Sequence, residues 1–290
     1  MKRKDFLKLS GGLALSGLAS STSLGCFTEN TESKLKSFGL QLYTLRDDIP
    51  KDPKGVLKQV ASFGYKQIES YEGDEGMGMF WGMTNKEFKS YLDTLGMTMI
   101  ASHCDIAKDF ERKAAEAAEI GMKYLICPWK GPQKSIETFK HFAADFNLKG
   151  EICKKHGIRF AYHNHDYSFE LVDGQYPQDV MMNYTDHSLV DFEMDMYWVV
   201  TAGQDIETWL KKYPDRFRLC HVKDRQKGAT PSNKDASCDL GTGSIDYNNI
   251  LKTAAKLGIE YYIVEQEKYT GTTPLKAAES CAAYMKDVSV

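Results

Sequence analysis

Between residues 38 and 285 the chain alternates short apolar runs with amphipathic stretches, and it does so eight times. This repeat constrains the architecture more than any other feature, because strand–helix–strand units return successive strands parallel to one another. The apolar runs are FGLQLYTL (38–45), KQIES (66–70), TMIASH (98–103), KYLICPW (123–129), IRFAYHNH (158–165), LVDFEMD (189–195), FRLCHVKD (217–224) and EYYIVEQE (260–267). Between them lie helical patterns at 53–64, 84–96, 110–121, 136–157, 206–213, 247–258 and 274 to about 285, with a short one at 177–184. Pro53 and Gly64 punctuate the first helix, and Thr84 supplies an N-cap for the second.

The runs are rich in Val, Ile, Phe and Tyr without strict alternation, as suits parallel strands buried on both faces. Two α/β architectures use such strands. An open doubly wound sheet carries a Gly-rich phosphate loop after its first strand, and QLYTLRDDIPKD has none. The complete repeat in 290 residues therefore predicts an α/β fold of the (β/α)8 TIM-barrel class, occupying residues 37–290.

Residues 1–25 read as an export signal, with a basic start and then a weakly apolar run too short to span a membrane. RKDFLK resembles a twin-arginine signal with Lys4 as the second basic residue, and SLGC resembles a lipoprotein cleavage box that would place a lipid anchor on Cys26. Residues 26–36 then form a linker, and the protein is expected to be exported and periplasmic, whether lipid-anchored or free. Loss of residues 1–25 would leave 33 basic and 39 acidic residues, a formal charge of −6. Such a surface disfavours nucleic acid, which requires a concentrated positive face. None of the seven cysteines forms a CxxC pair, and a chain this long needs no disulfide staple.

Barrel active sites lie where strands end. The strand ends here carry Gln41, Tyr43, Glu69, His103, Trp129, His163, His165, Asp195, His221, Lys223, Glu265 and Glu267. One such residue alone is ordinarily solvated or capped, but a polar or aromatic group on nearly every strand departs from the aliphatic filling a barrel prefers. Alternation puts His163 and His165 on one face and Asn164 on the other. His163, Asp195, His221 and Glu265 together offer mixed nitrogen and oxygen ligands for a divalent ion such as Mn²⁺, Zn²⁺ or Co²⁺. Gln41, Tyr43, His103, Trp129 and Glu267 are candidate substrate contacts, as is Trp81, from a glycine-rich segment at 72–83 that reads as a mobile stacking loop. Lys223 has two readings, an inward hydrogen-bond donor or a surface partner of Asp224, while Trp198 reads as barrel packing. GTGSIDY should shape the seventh loop and cap its helix through Ser244.

The ordered motifs YHNHD, DFEMDMYWVVTAG, HVKD, GTGSIDYNNIL and VEQE resemble the xylose isomerase-like family of sugar isomerases and epimerases, inosose dehydratases and endonuclease IV-type nucleases. The resemblance implies metal ligation by Asp195, His221 and Glu265, with His163 standing where relatives carry a glutamate. Trp198 and Ser168 also depart from positions where many relatives carry His and Glu. The implied activity is metal-dependent isomerisation or epimerisation of a keto sugar through an enediolate, with Glu265, His165 and Lys223 as the catalytic groups. Replacement of one glutamate by His163 leaves one-sided enolisation intact, so β-elimination from a 3-keto glycoside, or hydration, is the alternative. A non-catalytic sugar-binding or partner subunit is a further alternative, and a homo-oligomer is compatible with all of these.

Overall fold

In each repeat the helix buries an apolar stripe against the back of its strand, so the strands can meet only edge to edge. The computed structural model describes residues 34–74 and 76–290, and the export signal, Cys26 and the linker up to residue 33 lie outside the described residues. Eight parallel strands close on themselves: β1 (Gly39–Gln41), β2 (Gln67–Tyr71), β3 (Thr98–His103), β4 (Tyr124–Cys127), β5 (Arg159–His163), β6 (Val190–Asp195), β7 (Phe217–Val222) and β8 (Tyr261–Val264). Each pairs with its sequence neighbour, and β8 closes onto β1 through Gly39–Ile263 and Leu40–Val264. The architecture is the TIM barrel that the repeat predicts.

Around the barrel run α1 (Pro53–Phe63), α2 (Asn85–Thr94), α3 (Phe110–Glu119), α4 (Ile136–Lys155), α5 (Pro177–Tyr184), α6 (Met196–Thr201), α7 (Ile206–Lys212), α8 (Tyr247–Lys256) and α9 (Pro274–Asp287). Thr84 and Glu87 form a reciprocal capping box on α2, a feature worth about 1 kcal/mol. None of the described helices is long and apolar enough to cross a membrane. Lys34 and Leu35, assigned to the linker by sequence, pair with Ser289 and Val288 and tie the start of the described chain to its end.

The barrel interior changes character along its axis. Ile100, Ala101, Ile126, Ala161 and Leu219 pack together with Tyr124 as an apolar plug. At Gly39 a Cβ would stand 2.5 Å from Ile263 Cδ1 and 3.1 Å from Gln67 Cβ, so a larger residue there would oblige the Ile263 side chain to shift. Above the plug the inward positions are polar and still buried, including Glu69, Glu193, Asp195 and His221. All six described cysteines are free, five of them buried.

Several strands stop earlier than their apolar runs. Residues 42–45 leave β1 as a 3-10 turn capped by the Gln41 side chain, which accepts from Tyr43 N–H at 3.0 Å. His165 lies beyond β5 at the start of another 3-10 turn, Asp166–Phe169. Glu265 and Glu267 follow the end of β8. Ser244 does not cap α8: Asp246 is the N-cap residue, and the Ser244 hydroxyl donates to the Arg225 carbonyl.

Candidate active site

The polar layer is organised around His221 on β7. Its Nε2 lies 2.7 Å from Glu69 Oε1 on β2 and 3.5 Å from Glu193 Oε2 on β6. Its Nδ1 faces outward, 3.2 Å from Glu265 Oε2 and 3.2 Å from His163 Nε2. The imidazole thus divides an inner group from an outer one.

The inner group is a carboxylate–imidazole network. His103 Nε2 sits 2.9 Å from Glu193 Oε2 and 3.2 Å from Glu69 Oε1, and Gln41 Nε2 donates to the same Glu69 oxygen at 2.7 Å. Burial opposes charge on His103, yet the two glutamates outweigh it and push its pKa up to about 9. Burial and the neighbouring Glu69 raise Glu193 to about 7. Glu69 is held well below the usual carboxylate range against its burial, because His103 and His221 face it.

The outer group is His163, Asp195, His221 and Glu265, whose ligand atoms all lie within 4.8 Å of one another. Asp195 Oδ2 is buried and accepts no well-formed hydrogen bond, although Lys223 Nζ stands 3.0 Å away. Burial drives His163 down to about 4, which leaves it a neutral donor. His221 differs: Glu193, Glu265 and Glu69 hold its pKa well above the ordinary value against its burial, so a cation must displace its Nδ1 proton on binding. Two imidazoles and two carboxylates at this spacing then fit a divalent transition ion. Glu69, His103, Glu193 and His221 also cluster within 4.8 Å. The outer set is the better cation site, because His163 and Glu265 line the open pocket whereas only His103 of the other three inner residues does.

Local structure fixes these groups. Asn164, facing away from His163, bonds the backbone of the neighbouring strand end on both sides: its Nδ2 donates to the Asp195 carbonyl at 3.1 Å and its Oδ1 accepts from Asp195 N–H at 3.2 Å. Asp195 also accepts from Trp198 N–H at 3.1 Å and so caps α6. Lys223 turns inward and is fully buried, with Nζ 2.8 Å from both Glu265 Oε2 and Glu267 Oε2. Asp224 serves the GTGSIDY loop instead, accepting the amides of Gly241, Gly243 and Ile245.

A cavity of about 350 Å³ opens above the outer group, walled by Tyr43, Trp129, His163, His165, Glu265 and Glu267 among others. His165 packs edge-on to Trp129 at 4.5 Å and beside Trp198 at 5.3 Å. Burial, then the adjacent His163, hold its pKa well below the ordinary value. Trp198 therefore borders the cavity rather than serving only as packing.

The structure gathers His163, Asp195, His221 and Glu265 in one cluster, with His165, Lys223, Glu267, His103, Tyr43 and Trp129 around the same cavity or beneath it. Gln41 is fully buried and braces Glu69, so it does not face the cavity as expected of a substrate contact. Trp81 is also displaced, into a neighbouring groove. Its loop, read from sequence as mobile, is pinned by Arg112 to the Met77 carbonyl and by Lys113 to Glu72. Glu193 is the residue that sequence reading passed over. Its signal lay in the two-residue period of DFEMD, which puts it on the same inward face as Asp195.

Comparison with known proteins follows the same lines. A family model described as xylose isomerase-like TIM barrel matches residues 57–288. Inosose dehydratase from Clostridium perfringens is 30% identical over 165 residues, 52% of this chain and 55% of the relative. The chain spans about half the length of the curated relatives it matches. The crystal structure of a sugar phosphate isomerase/epimerase from Parabacteroides distasonis superposes with a TM-score of 0.75 at 29% identity, covering 88% of this chain and 95% of that one. The IOLI protein, solved with a bound zinc atom, shares the fold at a TM-score of 0.71 and 15% identity, covering 87% and 97%. The closed eight-stranded barrel, its polar mouth and the match over 57–288 make this chain a member of the xylose isomerase-like TIM barrel family.

Proposed function

We propose that the chain is an enzyme that enolises a keto sugar or keto cyclitol and expels the oxygen substituent β to the ketone. The observation that carries this reading is the partly buried His165 in the cavity wall, its Nδ1 without a hydrogen-bond partner, on the β5 side of a pocket whose β8 side supplies Glu265 and Glu267. An epimerase exchanges a proton at both faces of one carbon and is served by matched groups. Here the two walls differ in kind.

His165 is free to take an α-proton, and the resulting imidazolium can return it to the departing oxygen. Lys223 places a fixed positive charge at the cavity floor, held there by Asp195, Glu265 and Glu267. Its pKa is raised well above the ordinary value, against its burial, because those carboxylates surround it. A divalent cation held by His163, Asp195, His221 and Glu265 would act as a Lewis acid on the substrate carbonyl. The names of the dehydratase relatives support elimination, and that of the Parabacteroides distasonis structure supports isomerisation or epimerisation, which begins with the same proton abstraction.

The test is incubation of the Mn²⁺-loaded protein with an inosose and with a methyl 3-keto-glucoside in D2O. Release of water or methanol with formation of an unsaturated ketone supports elimination. A deuterated epimer with its oxygen retained overturns elimination in favour of epimerisation. Export through residues 1–25, with lipid on Cys26, is part of the same proposal. Radiolabelled palmitate on the wild type and not on Cys26→Ser would support it, and an unprocessed cytosolic chain would refute it.

A further inference from the structure

A second cavity, of about 590 Å³, opens beside the first and shares Tyr43, Tyr71 and Glu72 with it as a common wall. Its other boundaries include Arg46, Asp74, Met79 and Trp81. Three aromatic rings run from one cavity to the other: Tyr43 meets Tyr71 edge-on at 5.3 Å, and Tyr71 meets Trp81 at 6.0 Å. Tyr43 and Met79 remain 40% and 38% exposed, more than burial in a core would leave.

The wall of the groove is anchored on both sides. Trp81 has a backbone φ of 50°, in the left-handed region that non-glycine residues seldom adopt. Its ring leans on Phe88 at 5.9 Å. The segment closes into a short ladder between Met79–Phe80 and Met83–Thr84, and Asn85 anchors it to α3 through the Glu116 carbonyl. Arg46 is fixed by three hydrogen bonds, to the carbonyls of Tyr43 and Glu267 and to the Tyr269 hydroxyl. A guanidinium has five N–H donors, so Arg46 keeps donors beyond those three.

Aromatic faces bordered by a guanidinium and a carboxylate recognise a sugar ring, whose C–H face packs on the aromatic surface while its hydroxyls reach the charged groups. We propose that this groove is the subsite for a second sugar ring, joined through oxygen to the keto sugar in the first cavity. The substrate is then a keto disaccharide whose glycosidic oxygen lies β to the ketone. This rests on the elimination reading above. The α C–H bond breaks with its proton going to His165, the glycosidic C–O bond breaks with its electron pair going to oxygen, and that oxygen takes a proton. The products are an unsaturated keto sugar and a free sugar, with no oxidant or reductant consumed. Trp81 and Asp74 set specificity for the second ring and take no part in the chemistry.

The experiment compares a 3-keto disaccharide with methyl 3-keto-glucoside, using the wild type, Trp81→Ala and Asp74→Ala. Wild type should favour the disaccharide about tenfold or more in kcat/KM. Both variants should lose most of that preference, through KM, while their rate on the methyl glycoside stays unchanged. Equal use of the two substrates by wild type overturns the subsite, as does an undiminished preference in both variants. If neither substrate is eliminated, the elimination reading fails separately, and calorimetry with the same two sugars decides the subsite. Tighter disaccharide binding that is lost in Trp81→Ala supports it, and equal affinities overturn it.

Discussion

Glu69 Oε1 and His221 Nε2 lie 2.7 Å apart, although 152 positions separate them in the chain. Glu193, Glu265 and Glu69 hold the His221 pKa well above the ordinary value against its burial. With Nε2–H donating to Glu69, a cation bound among His163, Asp195 and Glu265 would displace the proton on Nδ1 and take that nitrogen as a ligand. A ligating histidine whose far nitrogen is held by a carboxylate is fixed in both tautomer and ring orientation. Glu69→Gln keeps the shape and removes the charge, so His221 loses its enforced tautomer. Metal affinity should fall about 10- to 100-fold with little change in the circular dichroism spectrum. Competition against a fluorescent chelator measures it, and an unchanged affinity would show that Glu69 has no role in positioning His221.

Asp195 tests the outer cluster more directly. Wild-type protein supplied with Mn²⁺, Zn²⁺ or Co²⁺ should retain about one ion per chain, and Asp195→Ala should retain almost none. Mass spectrometry of the desalted proteins reads the stoichiometry. Equal metal content in the two proteins would remove Asp195 from the ligand set.

Lys223 is the cation that Asp195, Glu265 and Glu267 face when no metal is bound. Lys223→Met preserves length and removes the charge, leaving three carboxylates opposed only by histidine. Stripping one partner from a buried ion pair costs about 3–5 kcal/mol, and the metal-free variant should melt well below the metal-free wild type. Added Mn²⁺ should raise its melting temperature more than it raises that of the wild type, because the ion restores positive charge among the same oxygens. Equal shifts in the two proteins would refute this compensation.

His103 makes the metal-free protein sensitive to alkali. Its pKa is raised in the fold to about 9, from an ordinary 6.5, by Glu69 and Glu193 against its burial. A group raised in the folded state stabilises fully below its unfolded pKa and loses that contribution as pH climbs through the folded one. Stability should therefore fall between about pH 6.5 and 9, by at most about 3 kcal/mol from this group. Glu193, raised from an ordinary 4.5 to about 7, loses its own contribution between about pH 4.5 and 7, so only the end of that loss falls inside the His103 window. Urea titrations of chelator-treated wild type and His103→Gln should show the slope diminished in the variant, and parallel slopes would count against the assignment.

The barrel was legible because its signal is local. Each strand–helix pair carries its own periodicity, several helices carry a local start signal such as Thr84 or Pro53 or a closing glycine such as Gly64, and eight such units leave little topological choice. The two-residue period of DFEMD is likewise enough to put Asp195 with Glu193, since a strand's side chains alternate faces wherever it is placed, whereas His165 lies past the end of β5 and reaches the cavity from the turn that follows. Depth and partnership were not legible. Gln41 and Glu69 stand at strand ends like the others, yet closure of the barrel buries both and turns one into a brace for the other. Lys223 offered Asp224 as a neighbour in sequence, but β6 and β8 bring three carboxylates to its ammonium while Asp224 is occupied by loop amides. Trp81 announced an aromatic surface without saying which cavity it would border. Sequence by itself determined the repeat and the face each residue takes. The tertiary structure decided which faces meet, because partners such as His221 and Glu69 become neighbours only when strands remote in the chain close into a ring.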